Sequence, residues 1–125
     1  MALTLNNDAT KHLQTLGKWF QTAKISLEKE NLWYCVDPKR IEKWKPFLEC
    51  LDLYKEGNGF ALWRVSGSLT IGPDPGYYGL FFPISAAVDI SGFRVNPGEY
   101  IKFTKPQLID AKLDFLTALI PEKTV

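Results

Sequence analysis

Apolar positions in the first half of the chain repeat with helical spacing. Leu13, Leu16, Phe20, Ala23 and Leu27 fall three, four, three and four residues apart, which places them on one stripe of a helix. Asn7 or Asp8 supplies a side-chain oxygen for the free N–H groups of the first turn, so the pattern predicts a helix from about Asp8 to Lys29. Leu32-Trp-Tyr-Cys-Val36 reads as a short buried strand. Asp37-Pro38 then opens a second helix, with Asp as cap and Pro at the first helical position, where its missing N–H costs nothing. Ile41, Trp44, Phe47 or Leu48, and Leu51 continue a helical stripe to about Tyr54. Pro46 lies inside it and cannot donate to the carbonyl four residues back, which predicts a kink or two abutting helices.

Residues 57–98 change character. They hold eight of the nine glycines, four of the eight prolines and only four charged side chains, Arg64, Asp74, Asp89 and Arg94. Phe60–Val65 and Ser68–Ile71 read as strands, and Tyr77–Ile90 as one long strand or two broken near Pro83. Asp74-Pro-Gly-Tyr77 and Asn96-Pro-Gly-Glu99 share one turn chemistry: Pro presets the first central φ and Gly supplies the positive φ of a type II turn. A last strand, Glu99–Phe103, follows. Thr104 and Pro106 then begin what the spacing of Ile109, Leu113, Leu116 and Ile120 predicts to be a helix, ended by Pro121.

Helical segments at both ends flanking an antiparallel sheet of about four to six strands make the expected class α+β. Within the strand after the first Pro-Gly turn, Tyr78, Leu80, Phe82, Ile84, Ala86, Val88 and Ile90 share the face expected to form the core. Tyr77, Gly79, Phe81 and Pro83 face the other way. No repeat, linker or low-complexity tract divides the chain, so residues 1–125 are expected to form a single domain.

Composition narrows the functional classes. Apolar residues make up 46% and charged residues 23%, the balance of a globular protein. The net charge of +1 gives no bulk reason to expect nucleic acid or an anionic membrane as partner. The one local exception is Lys39-Arg-Ile-Glu-Lys-Trp-Lys45, a basic run around an aromatic. No apolar run reaches the ~20 residues of a bilayer span, and residues 1–8 lack the features of a secretory signal. Cys35 and Cys50 each lie in an apolar pattern, which reads as two buried thiols in a reducing compartment, with a bridge as the alternative. The expected location is cytoplasmic.

Candidate chemistry is sparse. His12 is the single histidine, with no second ligand at metal spacing and no nucleophile beside it. The glycines punctuate hairpins rather than cradle phosphate, so no cofactor is implied. Asp74, Asp89 and Glu99 are the carboxylates available for acid–base work. The aromatic excess is the stronger signal. Trp63, Tyr77, Phe81 and Tyr100 crowd the sheet with few charges around them, as interface centres and apolar pockets do. The leading expectation is a non-catalytic protein-binding module using this aromatic face. The alternatives are a small-molecule-binding domain, with Asp89 or Glu99 pairing a cationic group on a hydrophobic ligand, and a carboxylate-based enzyme.

Residues 86–121 add a resemblance. Ala-Ala-Val-Asp-Ile-Ser-Gly-Phe-Arg-Val-Asn-Pro-Gly-Glu-Tyr-Ile-Lys-Phe-Thr, followed by an apolar segment ending Leu-Ile-Pro-Glu, resembles one half of the GyrI-like small-molecule-binding fold. The resemblance implies strand, turn, strand and helix, and a non-enzymatic binder of hydrophobic or cationic ligands. A matching first half is not found, since a long helix is expected in its place, and no binding residue is carried over.

Overall fold

The C-terminal segment that reads as a helix is a strand. In the computed structural model, which describes residues 1–122, Gln107–Pro121 runs extended and pairs on both sides. This overturns the α+β expectation. Among the described residues the chain forms nine strands and two short helices: β1 (Leu3–Thr4), α1 (Asn7–Phe20), β2 (Ile25–Lys29), β3 (Leu32–Cys35), α2 (Arg40–Cys50), β4 (Gly59–Ile71), β5 (Tyr77–Pro83), β6 (Val88–Ile90), β7 (Phe93–Val95), β8 (Glu99–Phe103) and β9 (Gln107–Pro121). Seven strands make one antiparallel sheet in the order β1-β8-β5-β9-β4-β3-β2, and β6–β7 is a separate hairpin.

The physical reason for the misreading is burial on both faces. Asp114, Leu116, Ala118 and Ile120 point to the side covered by the helices, while Ile109, Leu113 and Phe115 point to the other. A strand buried on both sides reads as a continuous apolar run, and any such run contains a four-three-four spacing. Leu113 and Leu116, placed together on a helix by that spacing, lie in different cores.

The first helix is also shorter than its pattern. Asn6, not Asn7 or Asp8, is the cap, and its Oδ1 accepts from the Ala9 N–H at 2.8 Å. Leu13, Leu16 and Phe20 are buried as expected. After Phe20 the chain turns into β2, which pairs with β3 around Asn31 at φ 67°. Leu27, the last member of the sequence stripe, is 61% exposed. Helix α2 passes through Pro46 as one element and buries Trp44, Phe47 and Leu48, leaving Ile41 exposed. Asp37 does not cap it; its carboxylate accepts from the N–H groups of Lys39 at 2.9 Å and Lys24 at 3.1 Å, tying the start of β2 to the approach to α2.

Local turn signals hold. Both Pro-Gly turns form, with Gly76 at φ 84° and Gly98 at φ 95° closed by Tyr77 N–H to Asp74 O at 3.0 Å and Glu99 N–H to Asn96 O at 2.8 Å. The sheet breaks at Pro83, one of the two alternatives for Tyr77–Ile90. The helix that the GyrI-like resemblance of residues 86–121 implied is instead β9.

Two cores result. One lies between the helices and the sheet face of Leu62, Leu80, Phe82, Leu116 and Ala118. The other lies on the opposite face, where Val65, Phe81, Ile101, Phe103 and Phe115 pack with Val88, Ile90 and Val95 of the β6–β7 hairpin. Residues 79–83 are therefore buried on both faces, while Tyr77 and Tyr78 are half-buried.

Candidate functional site

At the end of the second core the packing is incomplete, and a cavity of about 530 Å³ opens to the surface. Its walls come from β4 (Trp63, Leu69), β9 (Phe115, Thr117, Leu119), β8 (Phe103) and β3 (Leu32). These side chains share one sheet face because of alternation along paired strands: Trp63 is opposite Phe115, and Phe103 is opposite Gly79. Gly79 has a particular task. The Phe103 ring lies over it so closely that any Cβ would meet the ring.

Trp63 is the central group. Its indole N–H donates to Thr117 Oγ1 at 2.9 Å, which fixes the ring plane and leaves the ring itself as wall. The ring stacks toward Phe115 (centroids 6.5 Å, 22°), and Phe115 stacks on Phe81 (4.7 Å, 24°). The polar rim is made by Glu28 and Lys29 from β2, by Thr70 at the end of β4, and by Asp74 of the first Pro-Gly turn. Two carboxylates against one ammonium give the rim a formal charge of −1.

The six residues singled out from the sequence do not assemble into one site. Trp63 lines the cavity, and Tyr77 is half-buried at the start of β5, opposite Pro121. Phe81 is fully buried in the second core, so it is not part of an exposed aromatic face. Tyr100 points to the helix side, where it stacks on Phe82 (5.1 Å). Asp89 pairs with Arg94 on the surface of the β6–β7 hairpin at 3.1 Å. Glu99 accepts from the backbone and side-chain N–H groups of Asn96, both at 2.9 Å, and so belongs to its turn. Of the three candidate carboxylates, only Asp74 reaches the cavity.

Phe115, Thr117, Glu28 and Lys29 were missed because both of their segments were read as helices, and cavity lining depends on which residues alternate toward one sheet face. Other expectations also change. Cys50 is exposed while Cys35 is buried, and the two are not bridged. Burial pushes the Cys35 thiol above its ordinary value. Trp44 is buried, so the basic run of α2 presents no aromatic for stacking. His12 is exposed on α1, and among the described residues no group of three or more His, Cys, Asp and Glu is placed to hold a metal ion. No helix among them is long and apolar enough to cross a membrane.

No protein-family model matches the sequence, and no curated protein does. Solved structures share the fold. An RmlC-like cupin from Shewanella frigidimarina superposes with a TM-score of 0.51 at 6% identity, over 82% of this chain and 87% of that one. The polyketide cyclase RemF from Streptomyces resistomycificus gives 0.50 at 11% identity, over 84% and 78%. A chain of the Rhodobacter sphaeroides complex of SigE with the anti-sigma ChrR gives 0.54 at 11% identity, over 82% of this chain. The present chain spans half the length of that one. The fold is thus cupin-like, an antiparallel β architecture. Because a polyketide cyclase shares it, the fold gives no ground for the expectation that the chain is not an enzyme.

Proposed function

We propose that the chain is a small-molecule-binding domain of cupin-like fold, whose ligand sits in the cavity walled by Trp63, Phe115 and Phe103. The observation that supports this reading is the combination of a concave aromatic wall and a few polar groups at one rim, with a volume within the range of small-molecule sites. The Trp63 ring offers a face to an apolar or cationic group, and Thr117 holds that ring in place. Asp74 and Glu28 take the role that sequence reasoning gave to Asp89 and Glu99.

The test is a titration with a panel of aromatic cations such as N-methylquinolinium, read by tryptophan fluorescence. Saturable quenching that Trp63→Leu abolishes supports the reading. Thr117→Val, which removes the hydrogen-bond acceptor at constant shape, weakens binding less. A panel that leaves the fluorescence flat, or quenching that Trp63→Leu leaves intact, would overturn it.

A protein partner is the second reading. Val36, Ile41 and Tyr54 are exposed apolar side chains along and beside α2, and one structure of similar fold was determined as a complex of SigE with the anti-sigma ChrR. Replacing Ile41 by Lys should abolish association with any partner recovered with the protein; unchanged association would reject that surface.

A further inference from the structure

A second cavity, about 450 Å³, lies on the helix side of the sheet, just past the end of α1, with Gln21 at its edge. Its floor is a row of cross-strand neighbours: Trp33 of β3 opposite Arg64 of β4, and Arg64 opposite Asp114 of β9. One step along, Ser66 is opposite Lys112. The row continues past β9 to Ser85, whose Oγ accepts from the Asp114 N–H at 2.7 Å.

Hydrogen bonding in this row is lopsided. The Asp114 carboxylate is buried and already engaged: Oδ1 accepts from Arg64 Nε at 2.7 Å, and Oδ2 accepts from Arg64 Nη2 at 3.2 Å and Gln21 Nε2 at 2.8 Å. The Phe20 ring, 4.9 Å from the guanidinium carbon, holds the Arg64 fork from above. Beside the Gln21 Oε1, what is left over is mostly donor. Arg64 Nη1, the Lys112 ammonium, the Trp33 indole N–H and the O–H groups of Ser66 and Ser85 donate to no partner among the described residues. Two cations line the cavity against one satisfied carboxylate, a formal +1. A fixed, planar guanidinium with a spare N–H beside a lysine is the geometry that receives carboxylate or phosphate.

From this excess of donors we propose that the cavity is a binding site for a small organic anion, a carboxylate or a phosphate ester, whose planar body lies on Trp33. The site is separate from the aromatic cavity on the other face, and its success or failure says nothing about that one. Arg64 and Lys112 take the charge, with Ser66 and Ser85 donating at the edge. Asp114 is a positioning residue that orients Arg64 through two of its nitrogens.

The experiment is a titration of the 15N-labelled chain with benzoate and, separately, phenyl phosphate at constant ionic strength, reading the indole N–H resonances. Benzyl alcohol serves as the uncharged control. The Trp33 resonance should move saturably with an anion and stay with the alcohol, while the Trp63 resonance stays throughout. Whichever anion binds more tightly identifies the head group. Lys112→Gln, on an exposed side chain, should weaken binding about three- to fivefold, the scale of a solvent-accessible charge contact, and Lys112→Arg should restore it. Ser66→Ala provides an independent variant with no change in charge and should weaken binding by a smaller factor. An unmoved Trp33 resonance, an equal response to benzyl alcohol, or wild-type affinity in both Lys112→Gln and Ser66→Ala would overturn the proposal.

Discussion

Asp114 and Cys35 show how much a single residue's meaning depends on its surroundings. Asp114 is 4% exposed and would be untenable alone, because a buried carboxylate must be paired and hydrogen-bonded. Its bonds with Arg64 hold that guanidinium above its already high value, so the pair keeps its cation at any working pH. Cys35 is the opposite case, an apolar thiol whose burial resists ionisation. Its folded pKa is raised above the ordinary 9.0, so above that pH the unfolded chain has lost a proton that the folded chain keeps. Stability contributed by this thiol is therefore complete below pH 9.0 and falls as pH rises further. Alkylation with iodoacetamide at neutral pH should label Cys50 rapidly and Cys35 only as fast as the protein opens. Equal labelling rates would show that Cys35 is not buried.

At the scale of elements, what was legible was local. The two Pro-Gly turns, the break at Pro83, the start and the buried stripe of α1, and the strand Leu32–Cys35 all rest on residues close in sequence. What was not legible was β9. Phe115-Leu-Thr-Ala-Leu-Ile120 carries apolar groups to two faces at once, and periodicity cannot separate a two-faced strand from a helix. The distinction is testable by truncation. Leu113→Ala and Leu116→Ala should each cost about 2–5 kcal/mol in denaturant unfolding, because each leaves a cavity in a different packed core. Their effects should add, since the two side chains share no partner across the sheet. A loss much smaller at one position would mean that one face of β9 is open. The short edge strands follow another local rule: β1 has two residues, and β2 carries a register shift between Leu27 and Lys29, both of which discourage pairing with another chain.

Across the whole molecule, β9 returns from the C-terminal end of the fold to lie between β4 and β5. That insertion forms both cores, because β4, β5 and β9 contribute to each. The two cores should therefore melt together: circular dichroism and tryptophan fluorescence should report one coincident transition. Phe115→Ala in one core and Leu116→Ala in the other should lower that same transition. Two separated transitions would show that the helix side and the hairpin side unfold as independent units. Insertion of β9 also builds the aromatic cavity, placing Thr117 against Trp63 across 54 residues of sequence. The candidate site was legible in part: Trp63 stood out by type, and Asp74 by its place in a region poor in charge. Phe81, Tyr100, Asp89 and Glu99 had the right chemistry but lie in a core, a turn or a hairpin.

Where the chain turns, which segments are apolar and how few metal-ligating residues there are can be read along the chain, because these depend on near neighbours and residue counts. The folded molecule shows that the C-terminal segment is a strand, that the sheet is buried on both faces, and which aromatic groups border a cavity. Those outcomes follow from pairing between residues far apart in the chain, where the energy of burying a second face decides the conformation of a segment whose local pattern admits two.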